Sequence, residues 1–591
     1  MAIDGVSGRT SYIGSSILNI RSQLDDLTQQ LASGKISNTY AGQGVNRGLA
    51  VGLRAQINNL DAYSDAATNV NTRINVANLS LQGLIDIGTQ VQNAANGSSI
   101  TLGNNGQTSG QVTAQAAFAN AIELLNTQSG DRYLFSGRAT DTPPTASAND
   151  ILYGSSDGTK AGLTQLINER KQADLGADGM GRVVISQPTP TSVGIAEDAA
   201  PSPFGLKLSA VTSTAAGATV TSTPTSVGLA TNPGEGDSFN FSFTLADGTS
   251  KTVQLTATNT APPPAGSFAI GADATATSAN LNTALVSAEG ATSAQFGAQV
   301  SSLSSSSAGV TVTPASASID LGTTNPSEGD SFKFTFTLPD GTNETIQLTA
   351  TNTVPPPAGS FAIGADPTAT AANLNTALTG SVKTLANTSL VAASAVAASN
   401  NFFDDPPMRV DTSSTSLTSA TSLVAGTPSN TVSWYTGEDG TDPARGTAVA
   451  QVDQSITAQY GSRANEPAFR ALLQNIAVYA AVTTSAGDPN ANGQITALSQ
   501  RVAQTLSPQP GAQTIQDIQA DFAGAQTAIK AATDRQAQVK TMAQTMLDSI
   551  EGVNQDEVAT KILALQTSLS ASYQTTAMLY QINLTKYLPI S

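Results

Sequence analysis

The chain has 591 residues, with 26 Lys and Arg against 43 Asp and Glu, a formal net charge of −17, and neither Cys nor His. Without those two residue types there are no thiolate nucleophiles, thiolate metal sites, disulfides or imidazole acid-base groups. The acidic balance, with no Lys/Arg cluster, argues against nucleic acid as a partner. Only 5% of residues are aromatic and 12% charged, which favours layers and bundles over large dense cores. The length suggests about three to four domains. No apolar run is long enough to span a bilayer. Met1-Ala2-Ile3-Asp4-Gly5-Val6-Ser7 lacks a basic stretch followed by an apolar core, so no cleaved secretory signal is expected.

Near the N-terminus, Ile13, Ile17, Ile20, Leu24, Leu27 and Leu31 recur alternately four and three apart. This spacing places a narrow apolar stripe on one side of a helix, and such a stripe needs a second helix to cover it. Ser33-Gly34, Asn38, Gly42, Gly44 and Gly48 then form a breaker-rich connection. A second helical stretch carries Leu53, Ile57, Leu60, Tyr63, Ala67, Val70, Ile74, Ala77, Leu81, Leu84 and Val91. One residue is dropped from the alternation between Leu60 and Tyr63, which should rotate the seam. At ~1.5 Å per residue this helix would span about 58 Å, a length suited to a rod. After a polar break come a shorter helix with Val112, Phe118, Ile122 and Leu125, and then the Gly-bounded run Arg132-Tyr133-Leu134-Phe135-Ser136-Gly137, expected as a strand or turn against the rod.

The middle of the chain is of another kind. Residues 231–285 recur at 324–378, differing at about ten of 55 positions. Phe239, Phe241, Phe243 and Leu245 alternate with polar residues, as do Phe332, Phe334, Phe336 and Leu338, and Asp247-Gly248 and Asp340-Gly341 supply turns. Each copy therefore reads as a β-hairpin, a Pro262-Pro263-Pro264 or Pro355-Pro356-Pro357 link, and a short helix ending at Leu285 or Leu378. The period is too long for a solenoid. Glu235 with Asp237, and Glu328 with Asp330, offer paired carboxylates, but residues ahead of a strand are mostly solvated turn formers, and Ca²⁺ needs more oxygen ligands than these supply. The surrounding Ser/Thr-rich stretches offer hydroxyls for glycosylation or for hydration, and hydrated surface is the expectation. No phosphate-cradling Gly loop, nucleophile elbow or zinc pattern occurs, so no enzyme, cofactor or metal site is expected.

The C-terminal third returns to helical spacing with Ile515, Ile518, Phe522, Ala525, Ile529, Ala532, Val539, Met546, Ile550 and Val553. Thr514 and Asp517 form a capping-box-like start, and Gly552 with Asn554 interrupts the far end. Asn554 and Glu557 can cap a last helix bearing Val558, Ile562, Leu565, Leu569, Tyr573, Ala577, Tyr580, Leu584 and Tyr587. The break near residue 553 answers the break at residues 33–48. The fold expected is mainly α with a β-rich insert: a long antiparallel coiled-coil-like rod formed by both chain ends, carrying central α+β domains that include the tandem duplication. Its parts are an inner terminal helix at 1–45 paired with 554–591, a helical rod with a β segment at 46–190 paired with 430–553, and a surface-exposed insert at 191–430.

Several of these segments resemble the bacterial flagellin family, which includes filament flagellins and the related hook-filament junction protein (hook-associated protein 3). The resemblance rests on Leu31-Ala32-Ser33-Gly34-Lys35, on Leu53-Arg54-Ala55-Gln56-Ile57 with the long helix after it, and on the terminal helix closing at Leu584-Thr585-Lys586-Tyr587-Leu588. Arg132 to Gly137 and Asp141-Thr142-Pro143-Pro144 are closer to the junction protein. The similarity covers roughly residues 1–190 and 430–591. It implies an extracellular flagellar subunit, exported unfolded without a cleaved signal, that polymerises with copies of itself and supports motility. Implied partners are hook-associated proteins, the filament cap and an export chaperone, with no nucleic acid and no membrane. The subunit-packing residues would be Ile13, Ile17, Ile20, Leu24, Leu27, Leu31, Val558, Ile562, Leu565, Leu569, Tyr573, Tyr580 and Leu584. A reading of another class is an extracellular adhesin with glycan-binding β repeats, which would call for exposed aromatic platforms; the one Trp, Trp434, lies outside the repeats.

Overall fold

The computed structural model describes residues 4–581 except 98–99, 224–225, 245–249, 297–298, 306, 308–309 and 414–415. Leu584, Tyr587, Leu245 and the Asp247-Gly248 turn lie outside the described residues, as do the side chains of Tyr580 and Phe243. About half of the chain is helical and the remainder includes several small sheets, so the protein is mixed α/β.

In chain order the helices are α1 (Asp4–Ser33), α2 (Arg47–Asn96), α3 (Ser109–Leu125), α4 (Ala148–Tyr153), α5 (Leu163–Leu175), α6 (Ala274–Phe296), α7 (Pro367–Leu385), α8 (Val391–Phe402), α9 (Pro467–Ala481), α10 (Ala491–Thr505), α11 (Ile515–Glu551) and α12 (Gln555–Gln581). The strands are β1 (Gln128–Ser129), β2 (Arg132–Tyr133), β3 (Val183–Ser186), β4 (Ser192–Glu197), β5 (Lys207–Ser213), β6 (Thr219–Thr223), β7 (Ser226–Leu229), β8 (Ser238–Thr244), β9 (Ser250–Thr258) and β10 (Ser267–Ala269). They continue with β11 (Gln299–Ser305), β12 (Val310–Thr313), β13 (Ser316–Asp320), β14 (Ser331–Thr337), β15 (Asn343–Thr351), β16 (Ser360–Ala362), β17 (Met408–Val410), β18 (Leu423–Ala425), β19 (Val449–Asp453) and β20 (Ile456–Gln459). Two compact units result, one from residues 1–75, 449–460 and 521–591, the other from residues 76–448 and 461–520.

In the first unit, α1 lies against α12. Lys35 at the end of α1 bridges Gly552 ahead of α12, so the two helices run antiparallel. The opening half of α2 is joined to α11 by polar contacts that descend along one helix as they ascend along the other. Gln526 donates to Asn71 at 3.0 Å and Asn75 at 2.7 Å, Lys540 pairs with Asp61, and Arg54 reaches Glu551 at 2.6 Å. The buried side of α11 within this unit takes Phe522, Ile529, Ala532, Gln536 and Ala543, whereas Met546, expected on that seam, is 43% exposed. Gln536 occupies a seam position because its amide donates to the Val452 carbonyl in the β19–β20 hairpin.

The second unit packs helices around small residues. In α8, Ala392, Ala393, Ser394, Ala395, Ala397, Ala398 and Ser399 are all buried, and their small side chains allow α5, α9 and α10 to approach closely. α8 is thus almost wholly enclosed, although it lies within the 191–430 segment expected at the surface. A π-helical segment, Ala386–Leu390, joins α7 to α8.

Each repeat builds a four-stranded sheet, ordered β10-β9-β8-β11 in the first copy and β16-β15-β14-β5 in the second. The hairpins β8–β9 and β14–β15 are antiparallel, and after each triple-proline link a third strand, β10 or β16, adds parallel. The helices also run past the expected Leu285 and Leu378, to Phe296 and Leu385. The cores correspond position by position. Phe239, Phe241, Leu255, Ala257, Phe268, Leu281 and Leu285 pack together in one copy, and Phe332, Phe334, Leu348, Ala350, Phe361, Leu374 and Leu378 in the other.

Candidate assembly surface

The terminal helices form because their apolar residues recur at helical spacing and their ends are capped. The Asn554 side chain accepts from the Asp556 and Glu557 amides at 3.1 and 3.3 Å, satisfying donors at the start of α12. At the other end of α1, the Gly34 amide donates to Gln30 O at 2.8 Å with φ at +66°, a conformation that glycine adopts at little cost.

Ile13, Ile17, Ile20, Leu24, Leu27 and Leu31 are all half-buried, and their neighbours toward solvent are exposed. On α12, Val558 is buried at 5% exposure, and Ile562, Leu565 and Leu569 are half-buried. Further along, Tyr573 is 44% exposed, and Ser572 and Thr576 take the half-buried positions in its place. Pairing two helices thus covers each stripe only in part. A half-covered Leu or Ile realises roughly half of the ~1.5–3 kcal/mol that full burial supplies.

Other faces of the two helices are also apolar in places. Leu18 is 67% exposed, Leu563 64% and Met578 62%. At 3.6 residues per turn, Leu18 and Met578 fall on the far sides of α1 and α12 from their seams. A two-helix hairpin does not account for apolar residues facing away from the partner helix.

Where these helices meet α2 and α11, a single carboxylate organises the junction. The Glu551 side chain is 4% exposed; it accepts from Arg54 at 2.6 Å and Gln43 at 2.9 Å, and Lys35 lies 3.7 Å away. Burial works to raise its pKa, but the Arg54 hydrogen bond and charge, with Gln43 and Lys35, hold it below the usual carboxylate value. Its backbone carbonyl accepts from Ile36 N at 2.7 Å, and Val553 N donates to Gly34 O at 3.1 Å. Sequence spacing gave no sign of Glu551, a lone acidic residue at the end of an amphipathic helix. Its place directly before the Gly552 to Asn554 break was the available clue.

The other sequence-selected groups are structural. Phe135, within the Arg132 to Gly137 run, is fully buried and meets Phe469 of α9 edge-on at 5.8 Å. Gly137, at φ +65°, donates to Ser462 O at 3.0 Å. Trp434 is buried, donates to Phe403 O at 3.0 Å and packs on the Phe403 ring at 5.1 Å, so it offers no exposed platform. In the repeats, Glu235 accepts from Thr258 at 2.9 Å and Glu328 from Thr351 at 2.8 Å, with Asn259 and Asn352 amides beside them. Asp237 and Asp330 accept from the Gly234 and Ser327 amides at 2.8 Å. These carboxylates tie their own turns together. Among the described residues no cluster of three or more Asp or Glu could hold a metal ion, and no helix is long and apolar enough to cross a membrane.

No protein-family model matches the chain, and no curated protein matches it. Its function therefore rests on the residues and their arrangement.

Proposed function

We propose that this chain is a structural subunit of the bacterial flagellum, of the filament-flagellin type, which polymerises through α1 and α12 and supports motility. In this reading the paired chain ends form a long antiparallel coiled-coil-like rod, the duplicated insert projects from it, and the subunit is exported to the cell exterior. Hook-associated proteins, the cap and an export chaperone would be its partners besides itself. The observation that carries the reading is the terminal seam: Ile13 through Leu31 and Ile562 through Leu569 stay half-exposed even when paired, while Leu18, Leu563 and Met578 face outward. Apolar stripes of this kind are stabilised when further helices cover them, which couples ordering of the ends to assembly.

Leu27→Asp and Leu569→Asp test this directly, since each places a charge on a seam that neighbours should cover. Secretion is expected to continue and polymerisation to stop; wild-type filament yield from either variant would refute the assembly role.

The hook-filament junction is the alternative, favoured by the likeness of Arg132 to Gly137 and Asp141 to Pro144 to that protein. Counting this chain in purified flagella separates the two, with thousands of copies expected for a filament subunit and a handful for a junction protein.

A further inference from the structure

The duplication extends further back than residues 231 and 324, and its two copies have exchanged strands. β5 reads Lys-Leu-Ser-Ala-Val-Thr-Ser and β11 reads Gln-Val-Ser-Ser-Leu-Ser-Ser, and the residues after them, Thr-Ala-Ala-Gly-Ala-Thr-Val-Thr and Ser-Ser-Ala-Gly-Val-Thr-Val-Thr, match as well. The two strands also pair alike. β5 sets Ser213 opposite Phe332 and Val211 opposite Phe334, and skips Ser209 at a bulge. β11 sets Ser305 opposite Phe239 and Leu303 opposite Phe241, and skips Ser301 at the same step. Yet β5, which precedes the first copy in the chain, completes the sheet of the second, and β11, which precedes the second, completes the sheet of the first.

The connecting strands carry the same reciprocity. β6 pairs with β13 from Thr219 opposite Asp320 to Thr223 opposite Ser316, and β7 pairs with β12 from Ser226 opposite Thr313 to Leu229 opposite Val310, in one unchanging register. By the sequence match, β12 is the counterpart of β6, and β13 of β7. Interchanging the copies therefore maps the ladder onto itself, the pattern of a two-fold isologous interface. Ser316, opposite Thr223, is the counterpart of Pro224. Inside one copy that rung would join adjacent residues, whereas a hairpin needs about two residues between its paired strands. That one rung can form only between two copies, whereas the flanking rungs, from Ser222 opposite Ala317 outward, would also fit a two-residue hairpin inside one copy.

We infer that the repeat is a self-pairing module whose partner is a second copy of itself, and that the tandem arrangement folds this exchanged pair into one chain. A single copy presents an open sheet edge beside Phe332 to Thr337 and an exchange strand that suits the same edge of another molecule. This inference stands apart from the terminal-helix assembly.

The chain has no cysteine, so introduced pairs report cleanly. Thr212 and Lys333 are exposed and face each other across β5 and β14. In the full chain, T212C/K333C should close a disulfide within the monomer, while T212C/N240C, which would join β5 to its own copy, should not. Deleting residues 214–305 from the T212C/K333C chain leaves a single copy. At a dilution where the parent runs as a monomer, the cross-linked band should move from one chain's mass to twice that mass and revert on reduction. An intrachain disulfide in the deletion variant, or no cross-link at all, would overturn the inference. So would T212C/N240C closing as readily as T212C/K333C in the full chain.

Discussion

Replacing Glu551 with Ala removes the carboxylate that ties the end of α11 to Arg54, Gln43 and Lys35. Hydrogen bonds to a charged group contribute about 1.5–3 kcal/mol each way they are measured. Losing one partner of a fully buried pair costs about 3–5 kcal/mol because the other charge stays buried. Here the Arg54 and Lys35 side chains are 36% and 49% exposed, so both can rehydrate, and the smaller range applies. A loss of about 2 kcal/mol corresponds to a roughly 30-fold rise in the local opening constant, at about 1.4 kcal/mol per factor of ten. Amide hydrogen exchange reads this directly at Ile36 and Val553, whose amides donate to Glu551 O and Gly34 O across the junction. Exchange at those two amides should accelerate on the order of 30-fold, with no change at the Leu348 and Phe361 amides in the repeat. Unchanged protection at Ile36 and Val553 would show that Glu551 does not hold the junction.

The same carboxylate sets a pH dependence. Its folded pKa lies below the ordinary value of 4.5, so the stability it contributes is fully present above about pH 4.5 and is lost as pH falls through the folded pKa; Glu551→Gln should flatten that part of an acid-unfolding profile followed by exchange at Val553. In the repeats, Phe241→Ala and Phe334→Ala remove fully buried equivalent rings, and each should destabilise its copy by about 3–5 kcal/mol in urea titrations, with a difference above ~2 kcal/mol between them contradicting the equivalence of the cores. Asp340→Ala removes the nearer of the two carboxylates that pair with Arg501, at 2.6 Å against 3.5 Å for Glu344, and should cost about 1.5–3 kcal/mol of stability in the second unit; a loss below ~0.5 kcal/mol would show that Glu344 and Thr342 hold Arg501 without it.

What was readable in the sequence was what depends on local period. The half-buried positions of α1 fall at the four-three spacing of Ile13 to Leu31, and the alternating Phe239–Phe241 and Phe332–Phe334 lie on the buried faces of their strands. The rest depended on long-range geometry. α8 was obscure because Ala and Ser have no marked periodic contrast, and only three surrounding helices make small size an asset. Gln536 could be placed on a buried stripe only by knowing that Val452 O awaited its amide. Tyr573 fits the spacing of its neighbours by residue type, yet Ser572 and Thr576 are the half-buried positions in that turn. β5 and β11 escaped notice because a one-residue slip separates them from the gapless repeat, and because strand exchange pairs each with the distant copy.

The central claim is that α1 and α12 complete their burial only against other subunits. Hydrogen exchange on the monomer and on the polymerised protein measures this most directly. The account predicts rapid exchange across residues 12–33 and 555–578 in the monomer and strong protection of both segments after assembly. Full protection of both segments in the monomer, or no gain in protection on polymerisation, would contradict it.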